Sequence, residues 1–313
     1  MRSLGMRRAD VYRCPKCQGA ITAEADRLSC SCGAQFPVVG GLPRFVSDEG
    51  YAGSFGLQWR TFARAQLDSA SGLAISRERL FRGTGWPTSM KGEWILEAGC
   101  GMGRFTEVLL STGAEVLSFD YSAAAEVAAE NLADRGAEIC QASIFEMPYA
   151  RASFDRVFCY GVIQHTPDVH LAFQKLVEMV RAGGHLAVDV YDRARLFFNA
   201  RYRVRWLTKR LPKETVTAWA RRIVPLYMKL APPLHPWNQL LFPWKDYRGL
   251  YPGMSRADEI EWSVLDTVDM LTPEYDSPQY ARTMRRWAEE AGLVDIAVRR
   301  GGNGVELNAR KPT

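Results

Sequence analysis

The chain has 313 residues, long enough for one large domain or two around a buried core. Its 47% hydrophobic and 24% charged residues are those of a soluble globular protein, and a formal charge of +5 is too mild to name a partner by itself. No apolar run approaches the roughly 20 residues of a membrane span, and Met1-Arg-Ser-Leu-Gly-Met-Arg-Arg lacks a signal peptide's apolar core, so a cytoplasmic protein with no membrane partner is expected.

In chain order, the first feature is a group of cysteines. Seven cysteines in a chain of this length without a secretion signal do not read as a disulfide framework. Cys14-Pro-Lys-Cys17 and Cys30-Ser-Cys32 form two candidate tight turns that would present four thiolates tetrahedrally to a structural Zn2+, the alternative being unligated surface thiols. The C-x-C half departs from the commoner C-x2-C spacing. Cys100, Cys140 and Cys159 are expected to be small core residues. Residues 1–48 thus read as a small unit that needs a staple. Residues 49–90 read as a helical connector, with Phe55, Trp59, Phe62 and Leu67 at helical spacing and a Gly/Pro/Ser-rich break from Gly83 to Ser89.

From Glu93 onward strand and helix alternate. Apolar strands are expected at Trp94–Leu96, Val116–Phe119, Ile139–Ala142, Phe154–Tyr160 and Leu186–Val190, with helices after Arg104, Ala123 and Asp168. That alternation argues a parallel sheet wound on both faces, with ligands at the carboxyl ends of its strands. The first strand runs into Glu97-Ala-Gly99-Cys-Gly101-Met-Gly103-Arg104. Glycines at a strand-to-helix turn let a ligand approach the backbone beside the helix N-terminus. Asp120, at the end of the next strand, is placed to accept hydrogen bonds from ribose hydroxyls. A dinucleotide and another nucleotide cofactor both fit this much. Dinucleotide folds want a small residue at position 104, where this chain has Arg104.

The G-x-G-x-G loop with Glu97 two residues ahead resembles motif I of the class I S-adenosylmethionine-dependent methyltransferases. The resemblance implies S-adenosylmethionine held by Gly99, Gly101 and Gly103, with Glu97 supporting the loop, Asp120 on the ribose and Tyr121 against the adenine. Ser122 is expected to cap the following helix. Ser143 and Ile144 stand in the family's adenine-binding motif, where Ser143 replaces the usual acid. Asp155 falls where the family's acid is structural. In Tyr160-Gly-Val-Ile-Gln164-His165, the resemblance places Tyr160 at the cofactor and Gln164 and His165 beside the sulfonium methyl. His165 is then either the base that takes the acceptor's proton or a positioning residue bonded to backbone. Trp59 and Arg60 are candidates for the methionine end. The cysteine unit resembles zinc ribbons at the N-termini of many bacterial methyltransferases, including ribosomal RNA guanine methyltransferases, and zinc-ribbon activators of tRNA methyltransferases.

The alternation stops at residue 193 and the composition changes. Ten arginines and lysines between Arg193 and Arg222 face few acids, and Trp206, Trp219, Trp237, Trp244 and Trp262 are interleaved with prolines. Such a stretch can roof a small-molecule pocket, track a nucleic-acid backbone, or form a solvated helical face. Beyond it, Ser277-Pro-Gln-Tyr280 is expected to cap a helix through Ala291, followed by strands Leu293–Arg299 and Val305–Arg310, with Asn303 between them as a turn residue or substrate contact.

The expected fold class is therefore α/β. It comprises a doubly wound, seven-stranded Rossmann-like methyltransferase sheet over 91–192 and 276–313, an N-terminal zinc ribbon over 1–48 and a helical substrate-cap insertion over 193–275. The expected activity is S-adenosylmethionine-dependent methyl transfer, by in-line attack on the sulfonium methyl, to a small-molecule substrate. That acceptor, anionic or aromatic, would belong to biosynthesis, as a specialised metabolite or sugar conjugate. The alternatives are an RNA (rRNA or tRNA) methyltransferase using the ribbon and the arginine stripe, and a binding module whose cofactor site is vestigial.

Overall fold

A computed structural model describes residues 11–24, 26–47, 62–234 and 237–313. Trp59 and Arg60, the candidates for the methionine end, lie outside the described residues, as does Phe55. The N-terminal unit is a four-stranded antiparallel sheet of β1 (Ile21–Ala23), β2 (Arg27–Cys30), β3 (Gln35–Val39) and β4 (Leu42–Pro43), in that spatial order. Leu28, Phe36 and Phe45 are its main buried apolar residues, too few to stabilise it alone. They join the main core of the molecule, because the ring of Tyr12 lies 5.8 Å from Phe45 and 5.5 Å from Tyr149.

The connector folds as α1 (Asp68–Ser71) and α2 (Ile75–Thr84). Asp68 begins the first and reaches across to the second, its carboxylate accepting the N–H groups of Ser76 (2.8 Å) and Arg77 (2.9 Å). The alternating region follows as β5 (Trp94–Ala98), α3 (Arg104–Leu110), β6 (Glu115–Asp120), α4 (Ala124–Asn131), β7 (Glu138–Gln141), β8 (Phe154–Cys159), α5 (Val169–Met179) and β9 (Val180–Val190). Each strand is a run of buried side chains, as a sheet covered on both faces requires. α5 buries Val169, Ala172, Phe173 and Leu176 on one stripe, and Asp168 caps it by accepting the Leu171 N–H at 2.9 Å.

The insertion contains a 3-10 segment (Arg193–Phe198), α6 (Arg201–Thr208), α7 (Lys213–Leu230), α8 (Asn238–Leu241) and α9 (Arg256–Leu271). α7 and α9 pack around Val224, Met228, Val264 and Leu265, a second small core that also takes in Phe62. α10 (Ala281–Glu290), β10 (Val294–Arg300) and β11 (Val305–Arg310) complete the chain.

The main sheet has the order β10-β11-β9-β8-β5-β6-β7, with β5 to β9 parallel and β11 antiparallel to both its neighbours. This is the seven-stranded Rossmann-like arrangement. Strand order reverses between β5 and β8, which opens a crevice at their carboxyl ends. Asp155 is structural, accepting the Trp94 N–H at 2.7 Å and the Arg181 Nε–H at 2.6 Å. Two expectations need correcting. The strand expected at Leu186–Val190 begins earlier, since Val180–Gly184 belongs to β9 as an irregular entry, where the register with β8 slips and the Gly183 N–H donates to the Lys311 carbonyl. The Ser277 side chain does not cap α10, whose N-cap is Tyr280; the Ser277 N–H is committed to the Gln164 carbonyl.

The N-terminal unit covers the edge strand β7. Phe45 N–H donates to the Gln141 carbonyl at 2.8 Å and Arg13 N–H to the Pro148 carbonyl at 3.0 Å, satisfying backbone groups that an exposed edge would offer to other chains. Arg44 also pairs with Glu126 on α4. Tyr12 is 1% exposed at this seam. Tyr12→Ala is therefore expected to lower the free energy of urea unfolding by about 3 kcal/mol; a loss below ~1 kcal/mol would mean that the unit contributes little to the main core.

Candidate active site

The glycine loop after β5 is pinned to the end of β6. Gly99 and Cys100 both donate backbone N–H bonds to the Phe119 carbonyl (2.8 and 3.0 Å), and Gly101 N–H donates to Asp120 Oδ2 at 2.9 Å. Gly99 has φ +78°, and a Cβ there would lie 2.3 Å from Val162 Cγ2 on the loop after β8. Only glycine fits, because both the backbone region and the space exclude a side chain. Asp120 Oδ1 accepts from Ser122 N (2.9 Å) and Ser122 Oγ (2.8 Å). Burial pushes the Asp120 carboxyl up, against the hydrogen bonds from Ser122 and Gly101 that favour its charged form. Ser122 Oγ in turn accepts the Ala124 N–H at 3.1 Å at the start of α4.

The crevice is a cavity of about 890 Å³, near the top of the range of roughly 300–1,000 Å³ for small-molecule sites. Of the residues expected from the sequence, Gly99, Gly101, Asp120, Tyr121, Ile144, Tyr160 and His165 line it together, and Asn303 joins them from the β10–β11 turn. Glu97, Gly103, Ser143 and Gln164 are not in its wall. Glu97 lies beneath the loop, 2% exposed, accepting from Thr106 Oγ1 at 2.5 Å and Ser118 Oγ at 3.1 Å. Gly103 caps α3 and packs toward Leu132, where a Cβ would meet Cδ1 at 2.8 Å. Ser143 Oγ accepts the Phe145 N–H at 3.2 Å and stays within its own turn. Gln164 and His165 belong to one 3-10 turn, Ile163–His165, whose successive side chains diverge by about 120°. His165 is in the cavity wall, whereas Gln164 is fully buried and is not among the wall residues.

His165 Nδ1 lies 2.9 Å from the Tyr275 carbonyl, and its ring meets Tyr191 edge-on at 5.3 Å. A carbonyl only accepts, so Nδ1 carries a proton and Nε2 is the nitrogen able to take one.

Residues 96–188 match the family model of a methyltransferase domain. The ubiquinone biosynthesis O-methyltransferase of Azorhizobium caulinodans is 31% identical over 128 residues, 38% of this chain and 51% of the relative. The malonyl-[acyl-carrier protein] O-methyltransferase of Enterobacter lignolyticus is 37% identical over 95 residues, 30% of this chain and 37% of the relative. The chain thus spans about half or less of the length of these curated relatives. Among solved structures, phosphoethanolamine N-methyltransferase 2 of Haemonchus contortus in complex with S-adenosyl-L-methionine aligns with a TM-score of 0.48 at 14% identity, covering 84% of this chain and 57% of that one.

The rest of the cavity is built by residues that the sequence did not assign to the site. Arg79 on α2 donates to Asp189 Oδ2 at 2.9 Å and lies over the rings of Phe105 and Tyr160. The other oxygen of Asp189, which is fully buried in β9, accepts the Gly161 N–H and so fixes the loop after β8. Arg104 donates to Ser76 Oγ (2.8 Å) and Gln66 Oε1 (3.0 Å) beneath Trp262. Burial, then the nearby Arg79, lowers it to about 10. From α9, Asp266 accepts from Tyr247 and Gln66, and Asp269 accepts from Tyr191 at 3.2 Å. Lys245 completes this wall, and burial lowers its ammonium. One signal for these residues was present: Trp262, Asp266 and Asp269 are spaced i, i+4, i+7, one face of a helix.

The basic stripe divides. Arg201 lies over Tyr191 at 4.5 Å and 3.8 Å from Asp276, while Arg205 sits 3.6 Å from Asp276 and donates to the Pro273 carbonyl at 2.5 Å, so these two are turned inward. Arg203, Lys209, Arg210, Arg221 and Arg222 are exposed.

Away from the cavity, the four thiols of Cys14, Cys17, Cys30 and Cys32 converge, all within 4.8 Å of one another. Cys14 and Cys32 sulfurs are 3.7 Å apart and Cys17 and Cys30 sulfurs 3.4 Å. Sulfurs placed tetrahedrally 2.3 Å around a zinc ion would be about 3.8 Å apart. Cys100, Cys140 and Cys159 are buried.

Burial pushes the Glu97 carboxyl up to about 8. The folded chain therefore holds a proton that the unfolded chain releases near 4.5, and this contribution to stability falls as pH rises from about 4.5 to about 8. Between about pH 5 and pH 9, the urea-unfolding free energy of Glu97→Gln should shift relative to wild type by about 3 to 5 kcal/mol in the variant's favour. A pH-independent difference would refute a protonated Glu97.

Proposed function

We propose that the domain transfers the methyl group of S-adenosylmethionine to an oxygen of a small-molecule acceptor held under the helical insertion. The observation that carries this reading is the continuity of the cavity. Gly101 and Asp120 line it together with Lys245, Tyr247 and Trp262 of the insertion. The wall residues fit the donor. The loop is bare backbone at Gly99 and Gly101, and Asp120 offers carboxylate oxygens at the end of β6 for ribose hydroxyls. When bound, S-adenosylmethionine supplies an electrophilic methyl group on a sulfonium.

The chain's own residues then act mainly by positioning. Gly99 and Gly101 let the donor's methionine end approach the loop, and Tyr121 and Ile144 flank the adenine. Tyr247 and Trp262 line the acceptor's walls, and Lys245 holds an anionic group on it. His165 Nε2 takes the proton that a hydroxyl acceptor loses, while Tyr275 keeps Nδ1–H in place. The choice of oxygen is supported by the two relatives whose names are O-methyltransferases. A small acceptor is favoured over RNA because Arg201 and Arg205 are committed to Asp276 and the insertion roofs the space. Calorimetry with S-adenosylhomocysteine should show binding to wild type, weakened roughly 10- to 100-fold in Asp120→Ala. No binding to wild type, or equal binding by the variant, would remove the donor assignment.

We further propose that Cys14, Cys17, Cys30 and Cys32 hold a structural zinc ion, supported by the convergence of their sulfurs. Protein purified without chelators should carry roughly one equivalent of zinc, and stripping it should lower the melting temperature. A zinc content near zero in folded protein retires the assignment.

A further inference from the structure

Among the described residues, nine of the eleven exposed large apolar side chains lie between Trp206 and Leu250, all in the insertion. On α7, Trp219, Leu226 and Leu230 are exposed at 39%, 49% and 75%. Residues 7 and 11 positions apart return to within about 20° of the same direction on a helix, so the three form one stripe. Val216, Ala220 and Val224 face the insertion's core instead, so this stripe is apolar surface beyond what packing needs. Trp206 (59%) and Leu207 at the end of α6, and Trp237 (63%) before α8, are further exposed apolar side chains of the insertion. Monomeric soluble proteins rarely leave so much apolar surface together without a partner.

The charge around it is one-sided. Exposed Arg203, Lys209, Arg210, Arg221, Arg222 and Lys229 are interspersed with the apolar residues, and Glu214 is the one acid between Arg201 and Leu230. Exposed tryptophans and leucines beside arginines and lysines match the interface of a bilayer with anionic headgroups, which needs both apolar burial and positive charge. An RNA backbone would use the arginines and could stack on the tryptophans, but it gives no reason for the exposed leucines at 207, 226 and 230. A second copy of the chain would bring a like-charged surface against this one. The apolar surface also reaches the cavity, since Trp237 and Leu250 belong to its wall.

We propose that the outer face of α6 and α7 docks on anionic phospholipid membranes, holding the cavity mouth toward the bilayer. No helix among the described residues is long and apolar enough to cross a membrane, and surface attachment needs none. The expectation of no membrane partner rested on the lack of a spanning segment, which this mode does not use.

The test is flotation of the full chain with phosphatidylcholine vesicles, with and without about one-third phosphatidylglycerol. Wild type should float with the anionic vesicles, release at high salt, and show a blue shift of tryptophan fluorescence. Trp206→Ser/Leu207→Ser and Leu226→Ser/Leu230→Ser should each weaken partitioning at least ~10-fold while keeping far-ultraviolet circular dichroism and S-adenosylhomocysteine binding. Arg221→Glu/Arg222→Glu should do the same on anionic vesicles. Failure of wild type to float, equal binding to neutral vesicles, or unchanged partitioning of the serine variants would each overturn the proposal. So would salt-sensitive binding of bulk tRNA without vesicle binding, or a dimer by analytical ultracentrifugation that Leu230→Ser dissolves. Because S-adenosylhomocysteine binding is measured separately, loss of the methyl-donor reading and loss of the membrane reading are distinguishable.

Discussion

The geometry of the cavity depends on one buried carboxyl. Glu97, at the end of β5, accepts hydroxyl bonds from Thr106 in α3 and Ser118 in β6, joining the three elements that meet at the glycine loop. A charged carboxylate there would have only two hydroxyl donors against the full cost of desolvation. The protonated form avoids most of that cost and still accepts both bonds, which is why burial drives its proton affinity up. With the underside fixed, Gly99, Cys100 and Gly101 can spend their N–H groups on the end of β6, and Asp120 faces the cavity from the strand end to which the loop is pinned.

The sequence was most legible where backbone demands are severe. A strand, three alternating glycines and an acid one strand later allow few structures, and the alternation of apolar runs and helical patterns led to the observed sheet. It was least legible where a residue's role depends on which way a short turn rotates. Gln164 and His165 are equivalent by spacing, yet of the two only His165 is in the cavity wall, and only the fold says which. Glu97 and Ser143 show the same limit, since proximity in sequence to a ligand loop does not decide between its wall and its support. Arg79 and Asp189, 110 positions apart, carry no sequence signal that they meet.

The insertion illustrates how one composition serves two faces. Its basic stripe reads as uniform in the sequence, but Arg201 and Arg205, four residues apart, lie on the same side of α6 and are drawn inward by Asp276, leaving Arg203 outside. The inward pair is held by stacking and carbonyl bonds that compensate for lost hydration. α9 behaves similarly, with Trp262, Asp266 and Asp269 toward the cavity and exposed Glu261 on another side. Charge counts along a segment therefore say little about a ligand until the fold separates the two faces.

The cysteine unit is best understood through the sheet edge it covers. None of the described residues of 11–47 contributes to the cavity wall, whereas Tyr12, Arg13 and Phe45 bond or pack against β7 and the segment after it. β7 and β10 are the two edges of the sheet, and the insertion lies between β9 and β10 in the chain. A unit that supplies hydrogen bonds to an edge strand has a sufficient structural reason to be there. Its own four strands are short, and the Tyr12 seam fixes the unit to the domain, while the zinc proposed on the convergent thiols would hold the unit in shape.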